Sequence, residues 1–231
     1  MTARYAVYFA PEKHSPWWEF GSRWLGRSEF DNMDLPQPLL EQISPTELAQ
    51  ITEEPRRYGF HATLKAPFRL AAGWNEADLM ERLDMLAATL KPVTLSPLRV
   101  AMLGNFIALI PDAAPVGLEA LAAACVSELD DLRAPLLASE LARRGIRNLD
   151  AREAELLGLY GYPYVMERFR LHMTLTGSID SAAAQRVIHT VLTDITRLNA
   201  SAPLLLDRFC LFVERAYGTP FQRIADVAFQ A

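Results

Sequence analysis

Residues 170 to 177 read RLHMTLTG, and a close copy, FHATLKAP, occupies residues 60 to 67. Both stretches contain the frame His-x-Thr-Leu, although the chain of 231 residues has only four histidines. In an extended strand alternate side chains face the same side, so the histidine and the threonine of each frame should share one face. The apolar residues between them should line the opposite face. Each frame therefore predicts a strand with one buried face and one polar face.

The segments that follow the two frames repeat the same order of elements. Each frame strand precedes a helical pattern and then two further strand patterns. His61 lies 32 residues before the next β run at Val93, and His172 lies 31 residues before the corresponding run at Pro203. A repeated strand, helix, strand, strand unit predicts an α+β fold. We expect a bilobal pseudo-twofold duplication, in which two antiparallel sheets face a central cleft with helices outside.

The repeat also sets the expected domain organisation. We predict a single domain, residues 1–231, made of two lobes around 58–110 and 165–230. A helical bridge over about 115–158 should connect the lobes, with an interruption at Pro135. No Pro/Gly/Ser-rich linker divides the chain. The remaining predicted elements are a strand at 4–11, helices that begin at Ser15 and Ser44, helices at 75–90 and 180–198, a second frame strand at 167–176, and strands at 204–213 and 221–230.

The composition favours a globular protein and disfavours several classes. With 51% hydrophobic and 22% charged residues, the chain can bury a full core. Its net charge of −5 argues against a broad basic surface for long nucleic acid. The two cysteines, Cys125 and Cys210, are far apart and form no Cys-x-x-Cys frame, so we expect a reducing cytoplasm and no disulfide or zinc site. No apolar stretch approaches the roughly 20 residues of a membrane span, so no membrane association is predicted.

Two imidazoles on neighbouring polar faces suit general acid and general base chemistry. A histidine titrates near neutral pH, so one ring can take a proton from a nucleophile while the other protonates a leaving oxygen. Threonine hydroxyls and cationic side chains can hold the oxygens of a phosphoryl group. Alternation along the two strands puts Lys65 with the first frame and Arg170 with the second, so both are predicted phosphate ligands.

The segments HATL and HMTL, about 110 residues apart, resemble the paired His-x-Ser/Thr-hydrophobic signature of the two-histidine (2H) phosphoesterase superfamily. That superfamily includes RNA 2′,3′-cyclic phosphodiesterases and 2′-5′ RNA ligase-like proteins. The flanking text RYAVYFAP, YGFHATLKAPF and GYPYVMERFRLHMTLTG is similar to a narrower bacterial branch found in phosphonate-utilisation operons, a family of uncharacterised domains. The resemblance runs from about residue 4 to about residue 215.

This resemblance implies cleavage or formation of cyclic phosphodiester bonds without a metal or another cofactor. It implies that His61 and His172 are the catalytic acid/base pair and that Thr63 and Thr174 bind the substrate phosphate. The two frames leave open which histidine is the acid, and whether the reaction hydrolyses, cyclises or ligates.

Further candidates rest on proximity to the frames alone. Tyr58, Tyr164 and Arg57 flank the two motif strands and are predicted substrate contacts. The expected partner is a small phosphorylated sugar or nucleotide; an RNA end is less favoured, and no stable protein partner is predicted.

Other functions are weighed by the motifs they need. The sequence has no His-Glu-x-x-His cluster and no Gly-x-Gly-x-x-Gly or Gly-Lys-Ser/Thr loop, which disfavours a metal hydrolase, a kinase and a dehydrogenase. A non-catalytic module that binds phosphorylated sugars or RNA ends remains the alternative. Histidines in both frames favour catalysis, because binding alone would tolerate Arg, Lys or Gln there.

Overall fold

The computed structural model describes residues 3–95, 97–143 and 149–230 and has a mixed α+β fold. Residues 144–148 of the predicted helical bridge, and Ser96 of a predicted strand, lie outside the described residues. The strands are β1 (Arg4–Phe9), β2 (Ala62–Phe68), β3 (Val93–Thr94), β4 (Leu98–Leu103), β5 (Phe106–Pro111), β6 (Met173–Thr174), β7 (Leu205–Leu206), β8 (Arg208–Glu214) and β9 (Gln222–Ala228). The helices are α1 (Pro16–Leu25), α2 (Pro45–Ile51), α3 (Glu53–Arg56), α4 (Glu76–Ala87), α5 (Leu118–Ser127), α6 (Ala138–Arg143), α7 (Ala151–Tyr160) and α8 (Ser181–Ser201).

The two frame strands are neighbours in the middle of a large antiparallel sheet. Its strand order is β4-β5-β6-β2-β1-β8-β9, and β3 pairs with β7 in a separate two-stranded sheet. The α+β class is confirmed, with one large and one small sheet. The sequence predicts two facing sheets, whereas the structure joins their strands into one, because β2 and β6 pair with each other and leave no open edges between the two halves. The division into two lobes stays a prediction.

The order of strands also mixes the two copies of the repeat. The first frame strand, β2, lies on the side of the second copy's hairpin β8-β9, with β1 between them. The second frame strand, β6, pairs with β5 of the first copy's hairpin β4-β5. Each half of the large sheet therefore contains strands from both halves of the chain.

Serine and proline start two helices as the sequence predicts. Ser15 precedes Pro16, and its hydroxyl oxygen accepts the Trp18 N–H at 3.3 Å. Ser44 accepts the Glu47 N–H at 3.2 Å in the same way. Local signals therefore set where these helices begin. Within the described residues, no helix combines the length and the apolar character needed to cross a membrane.

The second frame strand is much shorter than predicted. The sequence predicts a strand over 167–176, but ladder pairing covers only Met173–Thr174, and residues 166–168 form a turn of 3-10 helix. From Phe169 to Leu175 the side chains still alternate between buried and more exposed. The alternation of facing therefore holds where the backbone pairing does not.

The apolar residues of both frames contribute to one core. That core lies between the large sheet and residues of α1, α4, α5 and α8. Because these helices cover one face of the sheet, the histidines and threonines of the frames are left on the other face. The buried apolar residues of the two frames are Phe60, Ala62, Leu64, Leu171, Met173 and Leu175.

Candidate active site

The two frames meet because their strands pair in one register. Ala62 pairs with Met173 in an antiparallel ladder. The residues one step away on each strand are therefore also opposite each other, in the pairs His61–Thr174 and Thr63–His172. Opposite Cβ atoms lie about 4.5–5.5 Å apart and diagonal neighbours about 7–8 Å. The two histidines thus occupy one diagonal of a square, and the two threonines occupy the other; we call these four residues the histidine square.

The histidine square lines a cleft of about 470 Å³. This volume falls in the range of roughly 300–1,000 Å³ that is typical of small-molecule sites. Among the described residues that line the cleft, the cationic ones are Arg4 and Arg57. The other prominent lining side chains are Tyr8, Glu54, Tyr58, Phe106, Glu140, Tyr162, Thr176 and Tyr217.

Both imidazoles are held by the same kind of backbone hydrogen bond. His61 Nδ1 lies 2.9 Å from the Gly59 carbonyl oxygen, and His172 Nδ1 lies 2.8 Å from the Arg170 carbonyl oxygen. A carbonyl oxygen only accepts, so Nδ1 carries the proton and donates in each case. This leaves Nε2 of each ring as the nitrogen available for proton transfer. The accepting carbonyl comes two residues before the histidine in both frames, so the anchoring repeats with the sequence.

Glycine is required at the first of these anchoring positions. Gly59 has φ of 79°, in the left-handed region that L side chains rarely adopt. A Cβ atom at this position would lie 2.9 Å from Glu29 Cβ. The backbone that presents the carbonyl oxygen to His61 therefore depends on this glycine.

The surroundings of the two imidazoles differ. His61 stacks on Tyr8, with ring centroids 3.9 Å apart, and its Nε2 lies 3.3 Å from Thr63 Oγ1. Burial lowers the pKa of His61 to about 4. The hydrogen bond to the Gly59 carbonyl opposes this shift, and the electrostatic interaction with His172 adds to it. Near His172 the aromatic neighbour is Phe106, tilted at 5.9 Å. His61 is therefore neutral at neutral pH, and its Nε2 accepts the hydrogen bond from Thr63.

The threonines on this face differ in what their hydroxyls contact. Thr63 donates to His61 Nε2, as above, and Thr174 lines the cleft opposite that histidine. Thr176 also lines the cleft, but its hydroxyl oxygen accepts the Ile107 N–H at 3.0 Å. The Thr176 hydroxyl therefore already makes a hydrogen bond with the backbone of β5.

Lys65 does not line the cleft. The register between β1 and β2 shifts by one residue just before Lys65, so β2 contains a bulge there. A bulge interrupts the alternation of side chains between the two faces. Lys65 is 3% exposed, and its Nζ donates to the Val126 carbonyl oxygen at 3.0 Å and to Asp130 at 3.1 Å. The prediction that Lys65 shares the polar face is corrected, because the alternation does not continue through the bulge.

Arg170 and Tyr164 lie beside the cleft. They line an adjoining pocket of about 120 Å³, which shares Thr63, Tyr162 and His172 with the cleft. Arg170 is exposed, and its guanidinium donates to two nearby backbone carbonyls at 2.6 and 3.1 Å. Tyr164 packs edge-on against Tyr162 and is about half exposed. Their contacts to substrate stay predictions, now on the His172 side of the cleft.

Arg57 and Tyr58 line the cleft, together with an arginine that sequence reasoning missed. Arg4 Nε lies 2.5 Å from one carboxylate oxygen of Glu214, and Arg57 binds the other oxygen. Burial alone would raise the pKa of Glu214, but hydrogen bonds, the first from Arg4, hold it below its usual range. Alternation along β1 is the signal that identifies Arg4, because it shares a face with Tyr8.

The acidic residues of the cleft form no metal site. Glu140 pairs with Arg69 at 3.2 Å, and Glu54 lies in the first turn of α3. Across residues 3–95, 97–143 and 149–230, no group of three or more His, Cys, Asp or Glu side chains is placed to hold a metal ion.

Comparisons with known proteins give one family and two long relatives. A family model described as "Protein of unknown function (DUF1045)" matches residues 63–222. A protein of Janthinobacterium sp. (strain Marseille), named ribose 1,5-bisphosphate phosphokinase PhnN, is 41% identical over 222 residues, which are 94% of this chain and 49% of that protein. The protein of the same name from Laribacter hongkongensis (strain HLHK9) is 42% identical over 179 residues, 77% of this chain and 40% of that protein. This chain thus spans half or less of the length of the curated relatives it matches.

The solved structure of Kluyveromyces marxianus Usb1 shows a weak likeness. It is 13% identical, the alignment covers 72% of this chain and 76% of that chain, and the TM-score is 0.31. A likeness at this level carries no inference about fold or function.

Proposed function

This chain belongs to the DUF1045 family of proteins of unknown function, and from the geometry of its cleft we propose that it is a phosphodiesterase. Its proposed substrate is a cyclic phosphodiester of a small sugar or nucleotide, opened without a metal ion. The observation that carries the proposal is the histidine square set by the pairing of Ala62 with Met173. Two imidazoles anchored through Nδ1, on one diagonal of one cleft, suit the transfer of one proton to and one proton from a phosphoryl centre.

In the proposed reaction His61 is the general base. Its low pKa keeps it neutral, and its Nε2 accepts a proton from the attacking water. The negative charge of a bound phosphodiester raises the pKa of the imidazole and makes it a stronger base. As the new phosphorus–oxygen bond forms, the bond to the ring oxygen breaks. His172, which enters this step as an imidazolium with a proton on each nitrogen, donates its Nε2 proton to that oxygen. The products are a phosphate monoester and a free hydroxyl group.

The threonines supply the electrostatic part of the mechanism. Thr63 and Thr174 occupy the second diagonal of the histidine square. When substrate binds, Thr63 turns its hydroxyl from His61 Nε2 to a non-bridging oxygen, which frees Nε2 for the attacking water, and Thr174 also donates to a non-bridging oxygen. The negative charge of these oxygens grows as water attacks. A cleft of about 470 Å³ accommodates a nucleotide or a sugar phosphate rather than a folded RNA.

The names of the relatives suggest ribose as the sugar. They are named for a kinase that acts on ribose 1,5-bisphosphate. Opening a 1,2-cyclic phosphate of ribose 5-phosphate at the 2-oxygen would supply that compound. This chain has no Gly-Lys-Ser/Thr loop, so we propose ring opening and not phosphorylation as its reaction. A role in phosphonate metabolism fits both the PhnN name and the operon-associated branch that the sequence resembles.

Hydrolysis in EDTA tests the proposal. The substrates are 2′,3′-cyclic nucleotides and ribose 1,2-cyclic phosphate, and the proteins are the parent, His61→Ala and His172→Ala. We expect turnover in EDTA by the parent and loss of turnover in both variants, with circular dichroism unchanged. His189→Ala is the matched control, because His189 is exposed on α8 and does not line the cleft. Binding without turnover on every substrate would favour the non-catalytic module, and turnover only with added metal would contradict the mechanism.

A further inference from the structure

Arg4 and Arg57 place two guanidinium groups in the cleft, which is also lined by Glu54 and by Glu140, itself paired with Arg69. Both guanidiniums bind the carboxylate of Glu214, one through each oxygen. The Glu214 side chain is fully buried, and its Oε1 also accepts the Gly218 N–H at 2.9 Å. One carboxylate therefore holds two cations, which leaves one positive charge that Glu214 does not balance.

The arginines are open to the cleft although their anchor is buried. The side chains of Arg4 and Arg57 are 16% and 29% exposed, and both line the cleft. The ring centroid of Phe221 lies 5.8 Å from Arg4 Cζ and 6.0 Å from Arg57 Cζ. The ring centroid of Tyr217 lies 5.2 Å from Arg4 Cζ and 6.0 Å from Arg57 Cζ. The rings and the buried carboxylate restrict both guanidiniums before any ligand binds.

This arginine pair lies beside the histidine square. Arg4 and Tyr8 are four residues apart on β1, which separates their Cα atoms by roughly 13 Å. Tyr8 stacks on His61. From the other side, Arg57 Cζ lies 5.4 Å from the Tyr58 ring, and that ring lies 6.0 Å from the His61 ring. A small sugar can span the space between a phosphorus atom at the histidines and a second group at the arginines.

The chemistry of the pair selects an anion with several oxygens. Guanidinium groups form two parallel hydrogen bonds to phosphate, and two restricted guanidiniums match the three terminal oxygens of a phosphate monoester. The dianionic charge of that group also offsets the charge that Glu214 leaves unbalanced. A neutral hydroxyl or a nucleobase would form fewer hydrogen bonds with the two guanidiniums and would not offset their charge.

We propose that Arg4 and Arg57 bind a second, non-reacting phosphate monoester of the substrate. The substrate class is then a sugar cyclic phosphate that carries a terminal phosphate. The identity of the reacting group rests on the proposed function, whereas the anion site rests on the arginine pair alone.

Paired substrates test this site by kinetics. The pairs are ribose 1,2-cyclic phosphate and adenosine 2′,3′-cyclic phosphate, each with and without a 5-phosphate. We expect the parent to prefer the phosphorylated member by about 10- to 100-fold in kcat/KM, the value of charge-assisted hydrogen bonds. Arg4→Gln and Arg57→Gln should each lower this preference at least several-fold. Arg197→Gln, an exposed arginine on α8, is the control that should keep it.

The ribose and adenosine pairs also separate a free sugar phosphate from a nucleotide as the source of the terminal phosphate. A preference in the ribose pair supports the site whether or not the adenosine pair shares it. No preference in either pair would overturn the proposal. Equal losses on both members in the arginine variants would also overturn it, because the arginines would then act on the reacting phosphate.

Direct binding separates failure of the site from failure of the proposed function. Ribose 5-phosphate is titrated by calorimetry into the His61→Ala/His172→Ala double variant, and then into the same protein carrying Arg57→Gln. We expect the added change to weaken binding about 10-fold or more. Arg57→Lys keeps a charge beside Glu214 if Arg57→Gln fails to fold, and it should weaken binding less. Binding that depends on Arg57 without hydrolysis by the parent would reject the enzyme and keep the site; binding that ignores Arg57 would reject the site.

Discussion

The two His-x-Thr-Leu frames repeat in sequence but lie in different environments. Both histidines donate from Nδ1 to the carbonyl two residues earlier, because that contact is local to the frame. His61 stacks on Tyr8, and burial lowers its pKa to about 4. His172 borders the adjoining pocket, and its ring centroid lies 5.9 Å from that of Phe106.

The different surroundings of His61 and His172 show which properties of a duplicated motif come from the motif itself and which come from the rest of the fold. The orientation of each imidazole follows from the frame, whereas the protonation of His61 depends on burial by residues brought from elsewhere in the chain. Tyr8 comes from β1, which pairs with β2 and not with β6. The single strand that precedes the repeat therefore makes the two histidines unequal, and the proposed base is the one beside it.

The largest expected effect is the loss of either histidine. His61→Ala and His172→Ala should each lower kcat by about 10²- to 10⁴-fold, the usual contribution of a general acid or base. The double variant should be little worse than the poorer single variant, because groups that act as a unit are not additive. Steady-state kinetics on the same cyclic phosphate measure all three. A double variant whose loss equals the product of the single losses would indicate that the two rings act independently.

The threonines should have the next largest effect. Thr63→Val and Thr174→Val each remove one hydroxyl donor while keeping the side-chain shape, and should lower kcat/KM by about 10- to 100-fold. Thr63→Ser and Thr174→Ser keep the hydroxyl and should retain most of the activity. Valine variants as active as the parent would show that the second diagonal of the square does not hold the phosphate.

The pH dependence should report the low pKa of His61. The pKa of His61 in the free protein is about 4, below the ordinary 6.5, so its neutral form persists as the pH falls from 7 to 5. The acid limb of kcat/KM should therefore lie near pH 4. Tyr8→Ala admits water beside His61 and should move this limb upward by about one unit or more.

Phe106→Leu, beside His172, is the matched control and should leave the acid limb unchanged. An acid limb near 6.5 in the parent, or one that Phe106→Leu moves as far as Tyr8→Ala does, would contradict the assignment of His61 as the base.

The smallest expected effect on activity is that of Lys65. Lys65→Met should change kcat/KM by less than about threefold, since Nζ binds Val126 and Asp130 away from the cleft. It should lower the free energy of unfolding by about 1–3 kcal/mol, because a buried ion pair and a hydrogen bond are lost. Urea denaturation and kinetics on the same sample check both. A large loss of kcat/KM with an unchanged free energy of unfolding would indicate that Lys65 acts in the candidate site after all.

The candidate site was predictable in part, and the limit is visible in particular residues. Because strand side chains alternate with a period of two residues, the sequence of each frame places the histidine on the same face as the threonine. Burial alternates as this pattern predicts from Phe169 to Leu175. The same alternation wrongly predicts that Lys65 lies on the cleft face. The bulge before Lys65 depends on how β2 pairs with β1, and the local sequence does not indicate it. Arg4 was missed because its role depends on Glu214, 210 residues away.

The sequence by itself determined the α+β class, the order of elements, the starts of capped helices and the two polar frames. These features follow from contacts between residues a few positions apart, which caps, turns and periodicity encode directly. Only the tertiary structure decided that β2 pairs with β6, that Tyr8 covers one imidazole and that two arginines share one buried carboxylate. Those features join residues more than 50 positions apart, and many pairings of the same strands would satisfy the local pattern equally well until the whole core is packed.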